Sequence, residues 1–285
     1  MTLEVTVWDV QHGAAAFVRT PAGKFIVIDL GVGAAKSGKE FSPLLHLKQK
    51  YGITALDEVI ITHPHRDHLD DVFNFDKLGP KTLHRPKHLS DVEIWAGNQQ
   101  ADKGIIEKYL EVNQRYKHPV AQVNDPERPE NNGGVEIQTF VPKSCAKSNL
   151  NNHSLVTFMT FAGSTILVPG DNEEPSWREL LEREPFREAL KKCDVFVASH
   201  HGRKAGYSAE MFKYFKPLLI IVSDGPATDT TAVSEYSAQA KGWTVHRRSG
   251  GQEVRKVVTT RTDGVINVRF GRNDDGRAFI HATID

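Results

Sequence analysis

At the amino end, apolar and polar positions alternate with a period of two. Leu3, Val5 and Val7 stand against Thr2, Glu4 and Thr6, the pattern of a strand with one buried face. Strands at 15–19 and 24–29 follow, separated by Gly13 and by the turn Pro21-Ala22-Gly23-Lys24, so the chain opens as a meander. Leu44, Leu45, Leu47 and Tyr51 recur at near-helical spacing until Gly52 ends the helix. The apolar run Glu58-Val59-Ile60-Ile61 reads as a buried strand, with a helix expected from near Leu69. Between about 74 and 132 the pattern turns polar, with a helix over 92–116 and a loose tract over 124–134. That region reads equally as an insertion or lid and as exposed connection. Strands are expected at 135–141, 155–161, 165–169, 194–198, 218–222, 243–247, 256–260 and 265–270, and helices at 176–192, 208–215 and 232–241. Runs of strands interspersed with helices predict an α+β protein whose sheets are covered on their outer faces by helices, with 1–285 as one domain.

Composition changes this picture little. Of the 285 residues 39% are hydrophobic and 25% charged, as in an ordinary globular protein. Lys plus Arg and Asp plus Glu both number 36, so no overall positive field attracts nucleic acid and any such contact needs a local patch. Cys145 and Cys193 are too few for a disulfide scaffold and form no CxxC pair. The amino end lacks a basic segment followed by an apolar run, and no stretch of about 18 apolar residues occurs. A cytoplasmic protein without membrane association is expected.

Candidate chemistry concentrates in Thr62-His63-Pro64-His65-Arg66-Asp67-His68, directly after the strand at 58–61. Three imidazoles and a carboxylate on a strand-to-loop turn can serve two cations, His63 and His65 pointing to one, Asp67 and His68 to the other. Neutral imidazole and carboxylate suit Zn²⁺ and similar borderline cations. Further candidates lie at later strand ends, where side chains project into a shared cleft. His153, in Asn151-Asn152-His153-Ser154, can complete a three-histidine set with His63 and His65. Asp171, in Pro169-Gly170-Asp171-Asn172-Glu173, can bridge two cations, although an Asx-turn or helix cap explains it equally well in isolation. In Ser199-His200-His201-Gly202, strand alternation sends only one imidazole to the cleft, and His200 is the expected ligand. His12, after the first strand, is the best further candidate for the site's edge. His46, His84, His88, His118, His246 and His281 read as surface or packing residues. Arg203 and Lys204 can bind an anionic substrate or be solvated charge.

The order of Asp29 in Val27-Ile28-Asp29-Leu30-Gly31, then HxHxDH, His153, Asp171 and the His200-His201 pair resembles the metallo-β-lactamase superfamily. Trp8-Asp9-Val10-Gln11-His12-Gly13, Asn151 to Val156, Val168-Pro169-Gly170-Asp171 and His200-His201-Gly202 are similar to the hydrolase domain of ComEC-type competence proteins and their free-standing relatives. The resemblance covers most of the chain and implies a four-layer αββα sandwich with metals at one edge. It further implies that His63, His65 and His153 hold one metal and Asp67, His68 and a late histidine the other, with Asp171 between them and Asp29 orienting the ligand loop. Two departures stand out: Gln11 and His12 replace a usual glycine and glutamine, and histidines often missing from this branch are present at 65 and 153.

Two divalent cations, Zn²⁺ or alternatively Mn²⁺, would lower the pKa of a shared water and yield a metal-bridging hydroxide near neutral pH. Asp67 or Asp171 would orient it, and His201 would protonate the leaving group. The expected function is a metal-dependent phosphodiesterase or nuclease acting on an anionic phosphoester, with single-stranded nucleic acid among the candidate substrates. Lactone, lactam or thioester hydrolysis is the alternative, and a non-catalytic metal-binding module a third.

Overall fold

A computed structural model of the chain describes residues 1–34 and 40–285. The described residues form two large sheets and one short two-stranded ribbon. The first large sheet has nine strands, in the spatial order Gln252–Arg255, Trp243–Arg247, Ala278–Ile284, Ile266–Arg272, Thr2–Val7, Ala16–Arg19, Phe25–Ile28, Glu58–Ile60 and Thr82–His84. The second has six, in the order Val257–Thr259, Leu219–Val222, Cys193–Val197, Ser164–Val168, Val156–Phe161 and Glu136–Phe140.

Period-two alternation explains the layering, because each central strand sends successive apolar residues to opposite faces. In the first sheet Val18, Ile26, Ile28 and Ile60 enter the core between the sheets. Phe17, Val27 and Val59 pack outward. In the second, Ile166, Val168, Val195 and Val197 face inward, whereas Leu167 and Phe196 face out. Each outer face needs a cover. Residues of the helices Pro43–Tyr51, Asp91–Ala96 and Lys103–Arg115 share the outer core of the nine-stranded sheet. Those of Glu174–Leu181, Glu184–Leu190 and Val233–Gln239 share that of the six-stranded sheet. The result is a four-layer αββα sandwich, as expected.

Several elements differ from the sequence reading for identifiable reasons. The helix expected over 92–116 is two, Asp91–Ala96 and Lys103–Arg115. Gly97 ends the first, and a Cβ there would lie 2.4 Å from Leu150 Cγ. The helix expected over 176–192 is split before Glu184–Leu190, whose first turn contains Pro185. The helices expected near Leu69 and over 208–215 are the 3₁₀ segments Asp70–Lys77 and Met211–Lys213. Strands Thr82–His84, Gln252–Arg255 and Ala278–Ile284 were not anticipated. No helix among the described residues is long and apolar enough to cross a membrane.

Candidate metal centre

Glu58–Ile60 runs parallel to Phe25–Ile28, and Cys193–Val197 runs parallel to both Ser164–Val168 and Leu219–Val222. The loops that leave the carboxyl ends of these strands therefore gather at one edge of the sandwich, the usual place for a site in parallel sheet. Thr62 ties the loops after Phe25–Ile28 and Glu58–Ile60 to the residue that enters strand Val156–Phe161. Its N–H and hydroxyl donate to Asp29 Oδ1 and Oδ2 at 2.8 and 2.7 Å, and its carbonyl accepts from Leu155 N–H at 2.8 Å. Asp171 N–H donates to Ser154 Oγ at 3.0 Å, and Ser199 Oγ donates to Asn172 O at 2.6 Å. A Cβ at Gly170 would sit 2.8 Å from both Thr62 Cβ and Ser154 Cβ, so only glycine lets these loops approach so closely.

One ligand atom from each of Asp67, His68, Asp171 and His201 lies within 4.8 Å of the others. His201 Nε2 is 3.1 Å from Asp67 Oδ2 and 3.3 Å from Asp171 Oδ2, and His68 Nε2 is 3.2 Å from Asp171 Oδ1. The far nitrogens are fixed from behind, His68 Nδ1 by Asp29 Oδ2 at 2.8 Å and His201 Nδ1 by Ser223 O at 3.1 Å. Both rings therefore present Nε2 to the cluster, the outer hydrogen bond setting the tautomer. His68 Nε2 is buried without a hydrogen bond of acceptable geometry.

Electrostatics reinforce this. Burial penalises a charged His201, but Asp171 and Asp67 outweigh it and hold the imidazole up at about 10. For His68 burial is likewise outweighed by Asp171, Asp29 and Asp67, and its pKa is raised well above the ordinary value. Burial would raise the Asp171 carboxyl, yet His201 and His68 hold it well below the usual range. A buried set of carboxylates that retains protons on its imidazoles is a set that demands positive charge. Two imidazole nitrogens and two carboxylates make a donor set suited to a borderline divalent cation, so the residues present fit the expected metal.

No family model matches the chain. It is 24% identical to ComE operon protein 3 of Bacillus subtilis (strain 168) in an alignment of 237 residues that covers 78% of this chain, and it spans only 28% of that protein. Among solved structures it is similar to the metallo-beta-lactamase fold protein YhfI from Bacillus subtilis, at 14% identity and a TM-score of 0.50, covering 93% of this chain and 98% of that one. The fold is that of the metallo-β-lactamases. A diphosphatase described as from the PhnP family is 10% identical with a TM-score of 0.47, covering 96% of this chain and 98% of that one.

Within this metallo-β-lactamase fold the paired histidines reverse the expected order. His201, not His200, reaches Asp67 and Asp171, while His200 Nδ1 lies 3.3 Å from Glu173 Oε1 and its Nε2 is 3.9 Å from Asp171 Oδ2. Alternation failed as a guide because the strand ends at Val197, before the pair. His200, His201 and Gly202 then take left-handed φ values of 51°, 54° and 70°. Two consecutive non-glycine residues in that region carry strain that the site must outweigh. Gly202 is required, since its Cβ would lie 2.6 Å from Val222 Cγ1.

The other histidine set is less closed. His63 Nε2 is 3.0 Å from His65 Nδ1, but His153 does not join them in a group of three within 4.8 Å. His153 Nδ1 instead meets His88 Nε2 at 2.9 Å, and its Nε2 is buried without a partner. His88, read from sequence as a surface or packing residue, thus adjoins the set, as does Glu173, which accepts from the Asn149 and Asn151 amides beside it. Asp29 sits behind His68 as expected, itself left-handed at φ 61°. His12, half exposed, lies 3.7 Å from Asp67 Oδ2, and Arg203 reaches His12 Nδ1 at 3.4 Å, so both stand at the site's rim. Lys204 is exposed. A cleft of about 610 Å³ opens beside His12, His65 and Asp67, walled opposite by Gly97, Asn98 and Asp102. Asn98 Nδ2 donates to Pro64 O at 2.9 Å, so the 74–132 region contributes directly to this cleft.

Proposed function

We infer that the chain is a dinuclear metal-dependent hydrolase acting on phosphodiesters. The observation that carries this reading is the convergence of Asp67, His68, Asp171 and His201 within 4.8 Å beside an open cleft. Asp67, His68, His201 and Asp171 would hold one cation. His63, His65 and His153 would hold a second, with Asp171 near both. The His201 role replaces the ligand role expected of His200. When bound, the cations, Zn²⁺ or Mn²⁺, would supply an activated water near neutral pH and neutralise charge on the phosphoester.

The chain's own groups do the rest. Asp67 and Asp171 orient the attacking water through their free lone pairs. His12, whose pKa is lowered chiefly by burial, stands 3.7 Å from Asp67 Oδ2 and can exchange a proton at the rim through Nε2. His200, beside Glu173, is a second group able to do so, now that His201 belongs to the cluster. Arg203 offers a guanidinium where the departing or flanking phosphate would lie. The likeness to ComEC-type hydrolase domains supports phosphoester chemistry, and zero net charge favours single strands or free ends over long duplexes if the substrate is nucleic acid.

The test is turnover by the metal-loaded protein on bis(p-nitrophenyl) phosphate, single- and double-stranded DNA, RNA, a lactone and a β-lactam. Phosphodiester hydrolysis is expected, with Arg203→Ala raising KM about 2- to 10-fold and leaving kcat nearly unchanged, because a rim cation binds ground and transition states alike. Lactonase or β-lactamase turnover without phosphodiesterase activity under any metal would overturn the reading.

A further inference from the structure

Away from that centre, a second set of donors converges where the nine-stranded sheet ends. Glu58 opens an otherwise apolar strand and is only 3% exposed. It stands opposite Thr82 in the parallel pairing with the edge strand Thr82–His84, which places His84 two residues further along. Thr82 Oγ1 donates to Glu58 Oε1 at 3.2 Å, while Glu58 Oε2 is buried with no hydrogen-bond partner. Glu127 reaches in from the segment before Pro129–Asn132 and contacts His84 Nδ1. One donor atom from each of Glu58, His84 and Glu127 lies within 4.8 Å of the other two.

Among the described residues no Lys or Arg pairs with Glu58 or Glu127, whose one ion-pair partner is His84. A buried carboxylate without a countercharge is costly, and either a proton or a metal ion must relieve it. Burial and the neighbouring Glu127 do hold the Glu58 carboxyl well above its usual range. A cation would use the same oxygen. Glu58 offers one carboxylate oxygen to the group, its Oε2 has no other partner, and a cavity of about 370 Å³ lined by all three side chains leaves an open side for water.

We propose that Glu58, His84 and Glu127 form a second metal site, separate from the metallo-β-lactamase centre, that takes one Zn²⁺ or Mn²⁺ ion as a structural clamp. One imidazole and two carboxylates with water in the fourth position are a fitting donor set for either ion. Donors on a tetrahedral Zn²⁺ stand about 3.3 Å apart for bond lengths near 2.0–2.1 Å, so the group closes by at most roughly 1.5 Å. The clamp has a job to do. Asn132, fully buried, holds the two ends of the 126–135 turn together by donating to Pro126 O and Val135 O. A metal on Glu127 would tie that closed turn to the sheet edge, closing the long excursion between His84 and Glu127.

The experiment is equilibrium dialysis of the full chain against Zn²⁺, followed by elemental analysis, for the wild type, Glu127→Gln, His84→Asn and Glu58→Gln. Each variant should hold one ion per chain fewer than the wild type, and the upward shift in Tm on adding Zn²⁺ should shrink. Turnover on bis(p-nitrophenyl) phosphate should stay within about twofold, since none of the three touches the other centre. Glu127 is partly exposed, so its variant retains the fold, and Glu58→Gln mimics the protonated carboxyl, so in chelator it should melt no lower than the wild type. An unchanged ion count in Glu127→Gln and His84→Asn overturns the proposal and leaves the carboxyl pair sharing a proton. Loss of more than one ion also overturns it, because the two sites would then not be separate. If the wild type hydrolyses no phosphodiester, the proposed function fails while the one-ion difference still decides this site.

Discussion

Replacing Asp29 by Asn should cripple metal binding without disturbing the backbone. Asp29 has φ 61°, a conformation that Asn tolerates nearly as well as Asp. Its carboxylate accepts three hydrogen bonds, from Thr62 N–H at 2.8 Å, Thr62 Oγ1 at 2.7 Å and His68 Nδ1 at 2.8 Å. The last two share Oδ2. With the Asn carbonyl kept on Thr62 N–H, the amide nitrogen takes the place of Oδ2 and can only donate. The Thr62 hydroxyl can turn and accept. His68 cannot: its Nδ1 must lose its proton, which moves the hydrogen to Nε2, the atom that faces Asp171 at 3.2 Å. A protonated Nε2 is no metal ligand. Loss of such an outer partner typically costs about 10- to 100-fold in metal affinity or activity, and frustrating one buried donor costs about 1–3 kcal/mol of stability. Titration with Zn²⁺ against a chromophoric chelator reads the first, and thermal unfolding in chelator reads the second. Wild-type Zn²⁺ affinity in a folded Asp29→Asn protein would refute the argument that Asp29 sets the His68 tautomer.

The histidine pair and a remote carboxylate give two further predictions. His201→Ala should lower bound metal by about one ion per chain and abolish turnover, whereas His200→Ala should retain the metal and lose activity only in part. Elemental analysis with the opposite pattern would return the ligand role to His200. Asp57 accepts from Phe25 N–H at 3.0 Å and pairs with Lys81 at 2.9 Å and Lys24 at 3.3 Å. Burial alone would raise its pKa, but these partners outweigh it and the folded-state pKa lies below the unfolded one. Its contribution is therefore full above pH of about 4 and disappears as pH falls through the depressed value. Asp57→Asn should cost roughly 1 kcal/mol at pH 7 and progressively less below pH 4, and equal losses at both pH values in urea unfolding would contradict the assignment.

Most of the sandwich could be read from sequence because its central strands are short apolar runs bounded by turns, and the alternation of their side chains between two cores appears in the structure. Val18, Ile26, Ile28 and Ile60 enter one core while Phe17, Val27 and Val59 enter another, and no helix presents that pattern. Strand Ala278–Ile284 was not anticipated although Ile280, Ala282 and Ile284 alternate with His281 and Thr283; of these only Ala282 and Ile284 are buried. The helix expected over 92–116 is too long because it runs through Gly97, which in the structure caps Asp91–Ala96. Leu150, far away in sequence and near in space, fills the place a Cβ at 97 would take.

The same division runs through the candidate site. The structure brings Asp67, His68 and Asp171 together, and strand ends make that legible, because they fix where a loop begins and a carboxylate or imidazole shortly after can hardly avoid the shared edge; Asp29, which lies behind His68, entered only through the family resemblance. The choice between His200 and His201 could not be made that way, since it turns on φ values of 51° and 54°, and no alternation rule covers left-handed backbone. The Glu58, His84 and Glu127 group shows the converse failure. Its signal was present in the sequence as an acid within the apolar run Glu58-Val59-Ile60-Ile61, where a buried carboxylate always requires a partner. That partner could not be named without the three-dimensional fold, because His84 sits on a strand too short to predict and Glu127 in a tract without periodicity. A charged residue inside a buried strand thus points to a missing partner, the sheet's register supplies His84, and the tertiary fold alone brings in Glu127.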